Sequence, residues 1–370
     1  MFLFIPAIAF FIYSYFTTLS QSYPVSYLVI SVPEIKASSL KEIEDSQILL
    51  IGDHFAEALE KYLRSTDGPI AKTAQKLKTP LKLSILSTQN LGLHRINFLL
   101  KSLKKLPGLI IFHGSASEYF EKKIDPIDFP TYKHNIKLFQ NPSLATLLMS
   151  FPVIGRFIYH PLHYLFMNKI TKNEEEINAD LKMSSIEINN IIFHYELETL
   201  AQIIRKSNSD LIVITTPVNI QKAPHEACAQ SITSGITDFQ SEQANKMAQQ
   251  NFKNAYYSLE KLIKSSPGNA QSYYLLANAA LGLGLFDVAR DAYIKANAFD
   301  CAPEGSSVLI NQAIRQWVLK NSFKIIDFDD DLSHQIGHND IFINDHYPQD
   351  YYYQQVLTSI TEAIMRYFRL

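Results

Sequence analysis

Cysteine is nearly absent from this chain. Cys228 and Cys301 are the two that 370 residues contain, so counting yields neither a zinc site nor a disulfide scaffold. An excess of one charge is missing too. Lysine and arginine number 34 against 36 aspartates and glutamates, a formal charge of −2, and no basic run is interleaved with aromatics. A nucleic-acid partner is therefore not expected. What the chain does have is apolar mass. Its 47% hydrophobic and 19% charged residues suit a sizeable core and exclude an intrinsically disordered chain. The length allows one large domain or two of ordinary size.

A further absence is local. Met1–Phe16 (MFLFIPAIAFFIYSYF) carries no charge, and the first basic residue is Lys36. As a helix this stretch rises ~24 Å, and extension past Thr18 approaches the ~30 Å hydrocarbon layer. A cleaved signal would show a basic start and a small-residue cleavage site, and neither stands out. Residues 1–22 are expected to form a membrane anchor or signal-anchor, with a cleaved signal and a buried helix as alternatives. Without flanking charge the orientation rule has little to act on.

Five short apolar runs follow: Ile48–Gly52 (ILLIG), Leu81–Ser87, Gly108–Phe112, Asp210–Thr216 and Phe323–Phe328. Helical spacing appears between them, at Ala56–Leu63 and Leu93–Leu106. This alternation predicts an α/β fold: a doubly wound, flavodoxin-like parallel sheet covered on both faces. Sites in such sheets lie beyond the C-terminal strand ends. That rule singles out Asp53–His54, His113–Glu118, Pro217–Asn219 and the segment after the last strand.

Two insertions interrupt the pattern. Tyr119–Lys172 has an apolar, aromatic centre (Leu144–Met167) carrying Arg156, His160 and His163. Surface-packed helices and a lid or membrane-contacting element both fit it. Glu174, Glu175 and Glu176 suit a solvated helix start. The second insertion, 230–302, places Tyr273, Leu276, Ala277, Gly284, Phe286, Ala289, Tyr293 and Ala296 at the spacing of a tetratricopeptide unit. Phe252, Ala255 and Pro267 fall one period earlier. Two units make little groove, so peptide binding and a structural or dimerising role both stand.

These motifs together resemble the SGNH (GDSL-type) hydrolases. ILLIGDHFAEAL resembles the first block, where Gly-Asp-Ser follows the first strand. Gly92 in NLGLHRINFLL falls where the second block has its glycine. IIFHGSASEYF resembles the third block, Gly-x-Asn-Asp or Gly-x-Asn-Glu. ITTPVNIQKAP is similar to the fourth-strand segment of the subgroup with tetratricopeptide repeats, and FINDHYPQDYYYQQV falls where the last block, Asp-x-x-His, lies. The resemblance spans residues 46–368. It implies a hydrolase-like domain over 46–229 and 303–370, a repeat insert at 230–302, an exported, membrane-anchored location, and esters of envelope carbohydrate or lipid as substrates.

The departures concern the chemistry. In the family a serine attacks the ester, a histidine takes its proton, and an aspartate three residues earlier orients that histidine. The block-two glycine, the block-three asparagine and the serine amide hold the oxyanion. Here His54 stands at the serine position. After Gly114 no asparagine follows: Ala116 occupies the place ungapped, Ser117 with one residue inserted. In one register of the last block Tyr347 and Asn344 replace the histidine and aspartate. In the other His346 is the base, but Ile343 precedes it by three. The candidate positions are thus His54 and His346 as degenerate catalytic residues, with Asp53, Gly92, Gly114, Ser117, Asn344 and Tyr347 around the cleft. His54, His113, Asp53 and Glu118 are suitable metal ligands by type, yet histidines at strand ends are more often only hydrogen-bonded, so neither metal nor cofactor is expected. A binding or scaffolding protein without catalysis is expected, the alternative being an esterase or acyltransferase with a rearranged site. Expected partners are the membrane through the N-terminal segment, a protein through the insert, and a carbohydrate or lipid in the cleft. In an exported domain a Cys228–Cys301 disulfide would clamp the insert.

Overall fold

The computed structural model describes residues 37–87, 91–119, 179–225, 234–265, 267–300, 305–337 and 341–370. The expected anchor, the apolar centre of the first insertion and both cysteines lie outside them. The chain divides into two compact units, Met1–Val32 with Lys122–Ile191, and Pro33–Glu121 with Ile192–Leu370. Of the first, residues 179–191 are described, as the start of a helix. All that follows concerns the second.

Its sheet contains β1 (Ile48–Gly52), β2 (Leu83–Ser87), β3 (Leu109–His113), β4 (Asp210–Ile214) and β5 (Lys324–Ile326). All pairings are parallel and the order is β2-β1-β3-β4-β5, the flavodoxin-like order. The helices are α1 (Ala37–Glu44), α2 (His54–Leu63), α3 (Pro69–Leu77), α4 (Leu93–Ser102), α5 (Ala179–Ser207), α6 (Ser234–Ala248), α7 (Phe252–Ser265), α8 (Ala270–Gly282), α9 (Phe286–Ala298), α10 (Val308–Asn321), α11 (Phe328–Ser333) and α12 (Asp350–Tyr367). The expected strands are all present. The largest differences are at β5, which keeps three residues because Asp327 already caps α11, and at α4, which stops four residues short of Leu106.

Unbroken apolar strands require cover on both faces, since successive side chains alternate. Ile48, Leu50, Leu109, Ile111, Ile212 and Ile214 point one way, against Leu59 and Leu63 of α2 and Val356, Ile360 and Ile364 of α12. Leu49, Ile51, Ile110, Phe112 and Val213 point the other way and are equally buried. Each such side chain stabilises the fold by about 1.5–3 kcal/mol relative to exposure. The core therefore fixes the strand ends, and with them the loops that carry polar residues.

Helices α6–α9 form a second apolar cluster with Ala255, Ala277, Ala289 and Tyr293 buried, and Ala296 buried beside them. Phe252 and Phe286 open α7 and α9, about one 34-residue period apart. Gly282 lies under the Phe252 ring, where a Cβ would come within 2.4 Å. Phe286 is 51% exposed, its ring edge lying over Gly337. Arg290 of α9 donates to Asp330 and Ser333 of α11, which ties the helical block to the sheet domain. No helix among the described residues is long and apolar enough to cross a membrane.

Candidate functional site

Strands β1 and β3 end side by side, with Gly52 in register with His113. A Cβ on Gly52 would lie 1.9 Å from the His113 carbonyl oxygen, and one on Gly114 would lie 2.7 Å from the Asp53 nitrogen. Only glycine lets the two backbones come this close. Asp53 then fastens them. Its Oδ1 accepts from Phe55 N–H (3.0 Å), capping α2. Oδ2 accepts from the N–H groups of Ser115 (3.0 Å) and Ser117 (3.1 Å). The carboxylate is buried, and three backbone donors fill it.

His54 opens α2 and is half-buried. Its ring centroid lies 5.7 Å from that of Tyr347, edge to face, and 4.7 Å from that of Phe55. Of the two registers in the last block, it is Tyr347 that comes beside His54. Burial, then Asp53 and Glu57, push the Tyr347 phenol above its ordinary value. A phenol so raised stays protonated at neutral pH and is a donor there, not a base.

The turn explains why His346 is elsewhere. Ile343 N–H donates to the Tyr347 carbonyl (2.8 Å), and Asn344 Oδ1 accepts from the N–H groups of His346 (2.9 Å) and Tyr347 (2.8 Å). Asn344 thereby caps an Asx-type turn, which sets the His346 ring against Gly305 in the lining of the cleft. Asp345 pairs with Lys222 (3.1 Å).

In the β3 turn, Glu118 Oε1 accepts from Leu93 N–H (2.7 Å), just inside the α4 N-terminus where Gly92 is the N-cap. A carboxylate is favoured at that positive end. Ser115 Oγ donates to Thr216 Oγ1 (3.2 Å). Ser117 Oγ is buried and has no hydrogen-bond partner among the described residues. His113 is fully buried. Its Nδ1 lies 3.2 Å from the Ile214 carbonyl, which assigns the ring proton to Nδ1, and Nε2 has no partner among the described residues. Desolvation lowers its pKa to about 4, so the ring is neutral at physiological pH. No cluster of three or more potential metal ligands occurs among the described residues, and the candidate His54–His113 group is held by aromatic contacts and a carbonyl instead.

Beside these strand ends opens a cleft of about 490 Å³, counting space open to solvent. Phe55 of α2, Pro217–Asn219 after β4, and His346 line the sheet side. Asn297 and Asp300, at the end of the helical block, line the other, with Lys222 and His225 between. Asp300 Oδ2 accepts from His225 N–H (2.9 Å) and Asn297 Oδ1 from Val308 N–H (3.0 Å). Sequence reasoning missed these four, because their neighbours come from another part of the chain.

It also missed a charged network behind the cleft. Arg315 of α10 donates to Asp327 through Nε (2.7 Å) and Nη2 (2.8 Å), and to Asp329 through Nη2 (2.7 Å). Thr215 Oγ1 donates to Asp327 Oδ1 (2.9 Å) and accepts from Asp329 N–H (3.0 Å). Asp329 Oδ1 accepts from Val218 N–H (3.1 Å). The one sequence signal was the Asp327–Asp331 acidic run closing the last strand.

No family model matches the chain, and no curated protein matches it. Among solved structures it is similar to a GDSL-like lipase from Bacteroides thetaiotaomicron VPI-5482. That match has a TM-score of 0.34 and 8% identity, over 91% of this chain and 92% of that one. It is also similar to a proposed acylhydrolase from Bacteroides fragilis NCTC 9343, with a TM-score of 0.32 and 8% identity over 92% and 93% of the two chains. Overlap at this level carries no argument about chemistry.

Proposed function

We propose that this chain is an SGNH-hydrolase-like envelope protein whose cleft binds a carbohydrate or lipid ligand without hydrolysing it. The observation that carries this reading is the pairing of His54 with Tyr347 at the strand ends. An ester hydrolase needs a nucleophile beside a base that accepts its proton. Here an imidazole stands in the nucleophile's place, and its neighbour is a phenol held in the protonated state. The third block supports the same reading in either register: Ala116 has no side-chain donor, and the short Ser117 hydroxyl reaches less far toward an oxyanion than an amide would. His346, the alternative base, is oriented by no carboxylate three residues earlier, because Ile343 stands there.

In this reading helices α6–α9 are two tetratricopeptide-type repeats that wall the cleft and offer a protein-docking face. Residues 1–22 anchor the domain on the exported side of the membrane. The test is chemical. Full-length protein in detergent is treated with a fluorophosphonate probe and with short-chain acyl esters. The expected result is labelling no greater than that of heat-denatured protein and no turnover. Turnover that disappears in His54→Ala overturns the reading and restores the alternative, an esterase or acyltransferase with a rearranged site.

A further inference from the structure

Asp329 stands between a cation and the wall of the cleft. Its Oδ2 faces Arg315 and its Oδ1 receives the Val218 N–H, while Pro217, Val218 and Asn219 form the wall itself. Arg315 does not depend on this contact, because Asp327 holds it by two further bonds. The groups facing Asp329 are therefore Arg315 from α10, Asp327 from the β5–α11 junction, and the Val218 amide. Two acids share one guanidinium, and the more buried acid is the one that positions the loop.

We propose that Asp329 is a proton-sensitive positioning residue: ionised, it holds the Pro217–Asn219 wall in place, and protonated, it lets that wall loosen. A proton from solvent adds to Oδ2, the oxygen facing Arg315. A guanidinium has only donors and cannot accept the new O–H, so the charge-assisted bond to Arg315 is reduced to a contact with a weak neutral acceptor, while Arg315 stays on the ionised Asp327. Oδ1 then becomes a neutral carbonyl, and the Val218 bond loses its charge assistance. The surroundings place this event in an accessible range, since burial, reinforced by Asp327, raises Asp329 to about 6. Asp327 goes the other way, held below its ordinary value by Arg315 and Thr215.

The proposal rests on reading the cleft as the ligand site, but its test adds no ligand. Hydrogen exchange is followed by mass spectrometry on the full chain in detergent between pH 5 and 8, corrected for intrinsic exchange. The readout is the peptide spanning Thr215–Ile220. Protection there is expected to fall about tenfold from pH 7.5 to pH 5, with a midpoint near 6. Asp329→Asn removes the step, and Arg315→Lys moves its midpoint upward. Equal protection at both pH values, or a step surviving in Asp329→Asn, overturns the proposal. If Asp329→Asn fails to fold, Arg315→Lys decides, and an unmoved midpoint overturns it. A wall that responds as expected in a protein that proves to be an active esterase would leave the strut standing and sink only the non-hydrolytic reading.

Discussion

Two buried aspartates organise opposite ends of the same sheet edge, by different means. Asp53 accepts from three backbone N–H groups at the β1–β3 end and has no ion pair among the described residues. Asp329 accepts from one backbone N–H at the β4–β5 end and shares Arg315 with a second acid. The first arrangement is a frame: its donors are main-chain atoms of the α2 N-terminus and of the turn after β3, and they do not titrate. The second is a strut whose strength depends on a side-chain ion pair and on a proton. The contrast also divides the labour. The rigid end carries the His54–Tyr347 pair, while the adjustable end forms a wall of the cleft.

The hardest test of the frame is Asp53→Ala. It leaves the Phe55, Ser115 and Ser117 N–H groups without their acceptor in a buried setting. Each orphaned donor costs about 1–3 kcal/mol, so a loss of roughly 4 kcal/mol is expected in urea unfolding. Asp53→Asn keeps one acceptor oxygen and should lose roughly half as much. A cost under about 1 kcal/mol for the alanine variant would mean that the turn is held by something else. Gly52→Ala attacks the same frame sterically. Its Cβ would sit 1.9 Å from the His113 carbonyl oxygen, so β1 and β3 must part, at a cost of about 3 kcal/mol.

The strut should reveal itself through pH. Asp329 is raised to about 6, above its ordinary 3.8. Between those values the folded state binds more protons than the unfolded one. Its contribution to stability is therefore fully present below about pH 4 and is lost as pH rises through 6. Asp327, lowered instead, contributes stability that is lost only on acidification below its ordinary range. From pH 7.5 to 4.5 wild type should gain on Asp329→Asn by an amount on the order of 2 kcal/mol. The two effects are compatible by linkage, because a loosened wall that still keeps the Asp329 carboxyl from water removes the Val218 and Arg315 donors that favour its ionised form, and so binds the proton more tightly than the closed wall does. Parallel stability curves for the two proteins across that range would put Asp329 in the same class as Asp53.

The frame was more legible in the sequence than the strut. Ile48–Gly52 reads as a buried strand because five apolar or small residues run together, and Gly-Asp at its end marks a tight turn. Asp53 stands directly after that strand, at the end where sites are expected. Arg315, Asp327 and Asp329 lie twelve and fourteen residues apart on a helix, a turn and the start of another helix. Nothing in their spacing joins them until the parallel topology brings α10 over the β5 end. The register of the last block was undecidable for a related reason. Asn-Asp-His-Tyr offers two candidate bases, and the choice depends on a turn in which Asn344 spends its own side chain. The Phe323–Phe328 run looked like a full strand because Phe328 resumes the apolar pattern, whereas Asp327 has already turned the chain into α11.

The smallest expected effect concerns His54, and it separates the frame from any chemistry it carries. His54 is half-buried and touches Phe55 and Tyr347 through ring contacts alone among its described interactions. Its removal opens no sealed cavity and orphans no buried donor, so His54→Ala should cost under about 1 kcal/mol. His54→Ser is the sharper variant, because it puts a hydroxyl at the end of β1. A serine there still faces Tyr347, whose phenol keeps its proton at neutral pH. No base takes the hydroxyl proton, and the stability and ester turnover of His54→Ser should match those of His54→Ala. Turnover appearing in the serine variant alone would mean that a base other than Tyr347 reaches position 54, and that the strand end retains a working site lacking only its nucleophile.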